Sequence, residues 1–218
     1  MESARVNMFQ RLRAPLRWNF PGRPVHGRLD ADQEVKMKVT KEQKAENKEK
    51  ILKAASKLYR EHGIAGIGIG ELSKSVGLTH GGFYRQFPEG KEQLVSEAIA
   101  RIFEEYCELW STKTTVCEVV ESYVSVEHRN DRLDSCPIPT LAADVSRLGG
   151  AVGESWTEGV KSLLAVLMTR QGSDGLPVTE EKALQIIASM SGAMVIAKAS
   201  SDPQMTRNLL AAVVDQWR

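Results

Sequence analysis

Apolar residues recur at every third or fourth position along most of the chain after residue 40, the spacing that lines one face of an α-helix. Strict alternation of apolar and polar residues, the pattern of a half-buried strand, is nearly absent. Nine helices are predicted, over residues 40–62, 69–76, 79–87, 91–110, 114–130, 140–148, 152–170, 179–199 and from 203 onward. The pattern therefore predicts an all-α fold.

Residues suited to helix ends mark several of these boundaries. Thr40 and Gln43 form a T-x-x-Q capping-box pair at the start of the first helix. Asp202 followed by Pro203 is a favoured start for the last helix, because the Asp side chain can cap it and the Pro presets a helical φ. A segment with two prolines, 134–139, is predicted to separate the fifth helix from the sixth.

The second and third predicted helices are short and are separated by a turn at Gly77. Two helices joined by such a turn form a helix-turn-helix, whose second helix enters the major groove of DNA. Phe83 and Phe87 lie four residues apart and are expected to point into the core. The polar side of residues 79–87 is then free to meet a groove.

The first 37 residues differ from the rest, with three prolines, six arginines and no periodic pattern. They are predicted to be a mostly disordered extension. Three origins fit this composition: an extension ahead of a natural translation start at Met37, a basic arm that holds DNA, or an Arg-rich transit segment. The predicted domains are thus the extension 1–37, a helix-turn-helix domain over 38–90, and a larger helical domain over 91–218.

The net charge of +1 conceals a polarity along the chain. Residues 1–37 carry seven Lys or Arg and four Asp or Glu, a net +3, and residues 38–91 carry eleven and six, a net +5. Residues 92–218 carry eleven and eighteen, a net −7. A basic part followed by an acidic part indicates that only the first part touches a polyanion.

Several other classes of protein lack support in the sequence. The three cysteines have no zinc-ligand spacing, and a reducing cytoplasm fits them better than a disulfide scaffold. No apolar run is long enough for a membrane span, which indicates a soluble protein. No motif of a nucleophilic, metal-dependent or nucleotide-binding enzyme is found, so no catalytic residue, cofactor or metal is expected.

The stretch from Lys50 to Ala98 carries a recognisable pattern, about 50 residues long. It consists of the segments ILKAA at 51–55, LY at 58–59, EHG at 61–63, ELSKSVGLT at 71–79, GFYRQF at 82–87 and KEQL at 91–94. This stretch resembles the DNA-binding domain of the TetR (tetracycline-repressor-like) family. The resemblance implies an N-terminal three-helix helix-turn-helix domain followed by a larger C-terminal helical domain for ligand binding and dimerisation.

The stretch departs from the family pattern at three places. The N-cap of the second helix is Gly68, where the family usually has Ser or Thr, so no hydroxyl is offered to a phosphate there. Ser73 stands where the family has Ala. Gly81 and Gly82 lower the helix propensity of the recognition helix by roughly 1 kcal/mol each, and they would let its backbone approach the groove closely.

The resemblance assigns roles to particular residues. The expected DNA contacts are Thr79, His80, Gly81, Gly82, Tyr84, Arg85 and Lys91. Thr79 and His80 would reach base edges, whereas Tyr84 and Lys91 match the phosphate contacts of the family, and Arg85 could serve either purpose. For Tyr84 the alternative is pure packing, and for His80 and Arg85 it is a solvated surface.

The resemblance also implies a homodimer, a palindromic DNA operator and a small-molecule effector that releases the DNA. The dimer would form through the eighth and ninth predicted helices, because the eighth is apolar nearly all round. The expected lining of the effector site is Phe103, Tyr106, Trp110, Tyr123, Trp156 and Met168, which favours an apolar or aromatic molecule, although each could be plain core. Repression is the family default. The alternatives are a ligand-independent DNA-binding or architectural module, and a redox or electrophile sensor that uses the Cys136 thiol.

Overall fold

The computed structural model of the protein describes residues 41–218, and this part of the chain holds ten helices and no strand. The helices are α1 Lys41–His62, α2 Ile69–Ser75, α3 His80–Gln86, α4 Lys91–Ser111, α5 Val116–Tyr123, α6 Val126–Asn130, α7 Pro137–Leu148, α8 Gly150–Met168, α9 Glu180–Ala199 and α10 Pro203–Gln216. The all-α prediction is confirmed. The predicted extension and the Thr40 cap lie outside the described residues.

The first three helices form a small domain around a shared apolar core. Its fully buried side chains come from all three helices: Ile51, Ala55, Tyr59, Leu72, Phe83 and Phe87. The rings of Phe83 and Phe87 stack with their centroids 5.3 Å apart. The spacing of apolar residues in the sequence therefore predicted the inner faces of these helices correctly.

The long helices α4 and α8 pack closely against each other. A Cβ atom built at Gly159 would lie 2.1 Å from the ring of Phe103, so no larger residue fits there without displacing that ring. The Phe103 ring also meets the Trp156 ring edge to face, at 5.3 Å between centroids. The contact between these helices fills the core of the C-terminal domain with side chains.

The helix predicted over 114–130 is two helices, α5 and α6, and the single-helix prediction is wrong. Val124 and Ser125 leave the helical conformation, and the Ser125 side chain accepts a hydrogen bond from the backbone N–H of His128 at 3.1 Å. This cap starts a new helix, because it satisfies one of the N–H groups that a helix start leaves unpaired.

The start of α7 also differs from the prediction, because the helix begins at Pro137 and not at residue 140. Pro137 and Pro139 occupy its first turn, where a backbone N–H would have no helical partner. Two prolines that suggested a break therefore belong to a helix start. Helix α8 begins at Gly150, two residues before its predicted start.

Helix α9 is buried on one side and exposed on the other. Its buried apolar side chains include Ile186, Met190 and Met194, whereas Leu184, Val195 and Ile196 are each about half exposed. Trp217, which follows α10, donates its indole N–H to the Ser189 hydroxyl at 3.1 Å and joins the two helices. Among residues 41–218, no helix has both the length and the apolar character needed to cross a bilayer.

Candidate nucleic-acid interface and ligand clefts

The start of α3 is fixed by its cap. The Thr79 hydroxyl accepts a hydrogen bond from the backbone N–H of Gly82 at 3.1 Å, while Thr79 itself is extended. This use of the hydroxyl leaves its own hydrogen available to an outside acceptor. The cap and the buried Phe83 and Phe87 together hold α3 in one orientation on the small domain.

The outward face of α3 consists of His80, Gly81, Tyr84 and Arg85, all of them exposed. Tyr84 is 41% exposed, and its ring meets those of His80 and Phe83 edge to face at 5.2 and 5.4 Å. The phenol is thus held by packing on one side while the residue remains accessible. A Cβ atom at Gly81 would meet nothing within 4 Å, so the protein itself does not require a glycine at this position.

Lys91 is half-buried, and its ammonium group has partners inside the protein. It donates hydrogen bonds to the backbone oxygens of Ile64 at 2.8 Å and Ile67 at 2.7 Å. Two of its three N–H donors are therefore used to hold the loop between α1 and α2. Its predicted contact with phosphate stays a prediction.

The lysines of α1 fall into two groups. Lys48 is paired with Glu97 at 2.7 Å and lies over the Phe87 ring at 5.6 Å, so it belongs to the packing between α1 and α4. Lys50, Lys53 and Lys57 line a shallow groove beside Val76 of α2. This second group adds positive charge to the surface of the small domain.

The small domain is held to the C-terminal domain by ion pairs and hydrogen bonds near the end of α1. The backbone N–H of Ile64 donates to the Asp144 carboxylate of α7 at 2.8 Å. The guanidinium of Arg60, which is 2% exposed, lies 3.3 Å from Asp134 and 3.7 Å from Glu105. These contacts join α7 and the segment before it to the end of α1 and to the loop that follows α1.

An aromatic cleft of about 340 Å³ lies among α4, α5 and α6. It is lined by Tyr106, Trp110 and Tyr123, three of the residues predicted to line an effector site. Three carboxylate residues that were not predicted also line it: Glu127, Asp131 and Asp134. The cleft thus combines aromatic rings with negative charge, an environment that suits a cation carrying an apolar body.

Hydrogen bonds around His128 fix the geometry of this aromatic cleft. The imidazole Nε2 of His128 accepts a hydrogen bond from the backbone N–H of Cys136 at 3.2 Å. Nδ1 therefore carries the hydrogen and donates to the backbone oxygen of Tyr123 at 2.6 Å. The Tyr106 hydroxyl donates to the backbone oxygen of Asp134 at 2.8 Å. Burial lowers the pKa of His128, which favours this neutral form.

The other three predicted lining residues lie elsewhere. Phe103 and Trp156 pack together between α4 and α8, and Met168 at the end of α8 is 37% exposed. The predicted set therefore does not surround one cavity. The aromatic periodicity identified three of the cleft residues, whereas the roles of His128 and Asp134 depend on the break between α5 and α6.

Comparisons with known proteins decide the family. The model of the family described as "Bacterial regulatory proteins, tetR family" matches residues 51–98, which span α2, α3 and the adjoining parts of α1 and α4. The HTH-type transcriptional regulator LmrA of Bacillus subtilis (strain 168) is 28% identical over 129 residues, or 56% of this chain and 69% of that protein. Residues 51–98 are therefore a DNA-binding domain of the TetR family, and the chain is similar to TetR-family regulators.

Further relatives agree with membership of the TetR family. The regulator YxaF of the same Bacillus strain, described as uncharacterized, is 38% identical over 56 residues, or 26% of this chain and 29% of that protein. The crystal structure of Escherichia coli NemR in its reduced form is 22% identical with a TM-score of 0.64, covering 77% of this chain and 95% of that one. A TetR-family regulator from Agrobacterium tumefaciens is 19% identical with a TM-score of 0.63, covering 80% and 98%. These structures share the fold.

The Cys136 thiol lies inside the protein, out of contact with solvent. The residue is fully buried, and burial raises the pKa of the thiol to about 12. A thiol with so high a pKa is almost entirely protonated at neutral pH. Since the thiolate is the reactive form, this conformation does not present Cys136 to an oxidant or electrophile.

Proposed function

We propose that this TetR-family regulator is a repressor that binds a palindromic operator as a homodimer and leaves it when a small effector binds. The observation that carries the proposal is the outward face of α3. Three residues with small or polar side chains, His80, Gly81 and Arg85, and the accessible ring of Tyr84 are held there by a cap and a buried pair of phenylalanines. Such a slim polar face fits a major groove, with Thr79, His80, Gly81, Gly82, Tyr84 and Arg85 as the candidate contacts.

The proposed dimer uses the exposed side of α9 together with α10. Leu184, Val195 and Ile196 are between 48 and 50% exposed, and they leave one side of α9 apolar in the monomer. Gly192 lies between them, and a Cβ atom there would meet nothing within 4 Å, so this side has room for a close helix partner. Since a second copy presents the same face, a two-fold dimer buries both.

The proposed effector site is the aromatic cleft, and we expect an aromatic molecule that also carries a positive charge. Tyr106, Trp110 and Tyr123 supply ring contacts, and the rim is acidic. The site is connected to α1 through Asp134, whose backbone oxygen accepts from Tyr106 and whose carboxylate lies 3.3 Å from Arg60. An effector that displaces this segment would change the position of α1 and hence the spacing of the two recognition helices.

DNA binding is tested by incubating the purified protein with fragments of its own genome and sequencing those that are retained. We expect enrichment of fragments that share an inverted repeat. Arg85→Ala should lose the enrichment, whereas Lys161→Ala, which removes an exposed cation of α8, should keep it. Retention of all fragments alike by the unchanged protein would contradict the proposal.

Effector chemistry is tested by screening aromatic amines against neutral aromatic molecules of matched size, with release of bound DNA as the readout. The variant Asp131→Asn removes one carboxylate charge and keeps the side-chain oxygen that accepts from the N–H groups of Leu133 and Asp134. We expect it to weaken the response to the amines several-fold and to leave any response to the neutral molecules unchanged. An equal response of both classes in both proteins would contradict the charge assignment.

A further inference from the structure

A second cleft lies on the other side of the segment 131–136 and has the opposite charge. Its volume is about 340 Å³. It is lined by four basic residues, Arg60, Arg129, Arg132 and Lys198, together with Glu61, Asn130, Ser135 and Thr140. These residues come from α1, α6, α7, α9 and the segment between α6 and α7, so the cleft joins the small domain to the C-terminal domain.

Three of the four basic residues have no carboxylate within 4 Å in the described part of the chain. Arg129 donates to the backbone oxygens of Ala197 and Ser200, both at 2.9 Å. Lys198 donates to the backbone oxygen of Asp131 at 3.0 Å, and exposed Arg132 makes no hydrogen bond or ion pair with any residue of 41–218. Carbonyl oxygens hold these groups in place but do not neutralise their charge.

The nearby carboxylates are distributed unevenly. Asp131 and Asp134 line the aromatic cleft and not the basic one. The Asp131 carboxylate accepts hydrogen bonds from two backbone N–H groups. Of the four basic residues only Arg60 has carboxylate partners, Asp134 and Glu105. The segment 131–136 thus separates an acidic cleft from a basic one.

The charges in the basic cleft act on one another. The pKa of Lys198 is lowered, mainly by burial; Asp131 opposes the shift, and Arg129 and Arg132 add to it. Like charges disfavour the ammonium form, so the three cations lie close enough to repel. A bound anion would relieve both the burial cost and the repulsion.

Two hydroxyl groups complete the polar character of the basic cleft. The Ser135 side chain is fully buried, and its oxygen has no hydrogen-bond partner among the described residues. The Thr140 hydroxyl donates to the backbone oxygen of Cys136 at 2.7 Å, and its lone pairs remain. A buried hydroxyl without a partner calls for one, and an ion bound in the cleft would supply it.

We propose that the basic cleft binds a small oxyanion carrying two negative charges, of the class of phosphate and phosphate monoesters. Each guanidinium group presents paired N–H donors to the oxygens of such an anion, and the Lys198 ammonium offers a further N–H donor. The volume leaves room for a small organic group beside the phosphate. Because Arg60 belongs to α1 and the other cations to the C-terminal domain, the anion would bridge the two.

This site is separate from the proposed effector cleft, and it is tested on the protein without DNA. Full-length protein is titrated calorimetrically with inorganic phosphate at constant ionic strength, and in parallel with glycerol phosphate and with chloride. We expect saturable binding of one phosphate per chain and none of chloride. Tighter binding of the monoester would identify an organic phosphate as the better ligand, whereas equal affinities would assign the site to the free ion.

Variants separate the site from general effects of the anion. Arg132→Gln and Lys198→Gln should each weaken phosphate binding at least tenfold. Lys161→Gln, which removes an exposed lysine of α8, should bind phosphate as tightly as the unchanged protein does. Arg132 is exposed, so its substitution leaves the fold intact and the result interpretable. Absence of saturable binding, or equal binding by all three variants, would overturn the proposal. Neither result would bear on operator binding.

Discussion

The outward face of α3 and the outward face of α9 are both exposed in the monomer, yet their chemistry differs. The α3 face presents hydrogen-bonding groups and a backbone with two glycines, whereas the α9 face presents half-exposed Leu184, Val195 and Ile196. A polar, slim face is suited to the edges of bases, and an apolar face is suited to another apolar face. Under the proposed function, the same fold offers one surface to a polyanion and another to a second copy of itself.

The largest effect is expected from a charge on the α9 face. Val195→Glu would place an unpaired carboxylate in the proposed dimer interface, which costs several kcal/mol and weakens dimerisation by at least about 100-fold. Sedimentation would then find monomers, and operator affinity would fall with the loss of the second subunit. Leu109→Glu is the matched control, because Leu109 is also about half exposed (49%) but lies on α4. A dimeric Val195→Glu protein would place the interface elsewhere.

The next effect concerns the hydroxyl of Tyr84. Tyr84→Phe keeps the ring that packs on His80 and Phe83 and removes only the phenolic group. If this group donates to a phosphate, its loss costs about 1.5 kcal/mol in each subunit, or roughly 100-fold in the operator affinity of the dimer, with no change in melting temperature. Affinity equal to that of the unchanged protein would show that Tyr84 acts through packing alone.

Substitution of Lys91 tests whether its ammonium holds the loop between α1 and α2 or contacts a phosphate of DNA. Lys91→Met would leave the Ile64 and Ile67 oxygens without this partner, and we expect a loss of about 1–3 kcal/mol in the free energy of unfolding. Because its ammonium is used inside the protein, the dependence of DNA affinity on salt should keep its slope. A slope reduced by about 2, or about 1 for each subunit of the dimer, would instead identify Lys91 as a phosphate contact.

The smallest effect is expected at Gly81, where stability and DNA binding should change in opposite directions. A Cβ atom has open space there, so Gly81→Ala should stabilise the protein by up to about 1 kcal/mol through helix propensity. The added methyl group should weaken DNA binding if the backbone approaches the groove closely. Gly153→Ala, in an equally open position on α8, should stabilise the protein and leave DNA binding unchanged. Unchanged DNA affinity in Gly81→Ala would exclude the close approach.

The fold of the small domain could be predicted from the sequence because its signals are local. Phe83 and Phe87 lie four residues apart, and Thr79 and Gly77 mark a cap and a turn, so each residue type agrees with its neighbours. At the start of α7, local signals of the same kind led to a wrong prediction of where the helix begins. A proline inside a helical pattern ends the helix, whereas a proline in the first turn is tolerated, and the structure places Pro137 in the first turn.

The ligand clefts could be predicted only in part, because they depend on contacts between distant segments. Aromatic spacing along α4 indicated Tyr106 and Trp110, but the pairing of Asp134 with Arg60 joins residues 74 positions apart. The break at Ser125, which turns His128 towards Tyr123, has only a serine as its signal. No periodicity distinguishes such a cap from an ordinary helical serine.

We infer that two α3 helices of one dimer read an inverted repeat, and fluorescence anisotropy measures whether they do. A labelled duplex with the full repeat is titrated with protein in excess competitor DNA, beside a duplex with one half-site and an unrelated duplex. We expect two subunits per full duplex and an affinity at least about 1,000-fold above that for unrelated DNA, with binding to the half-site far weaker than binding to the full repeat. Equal binding of all three duplexes would contradict it.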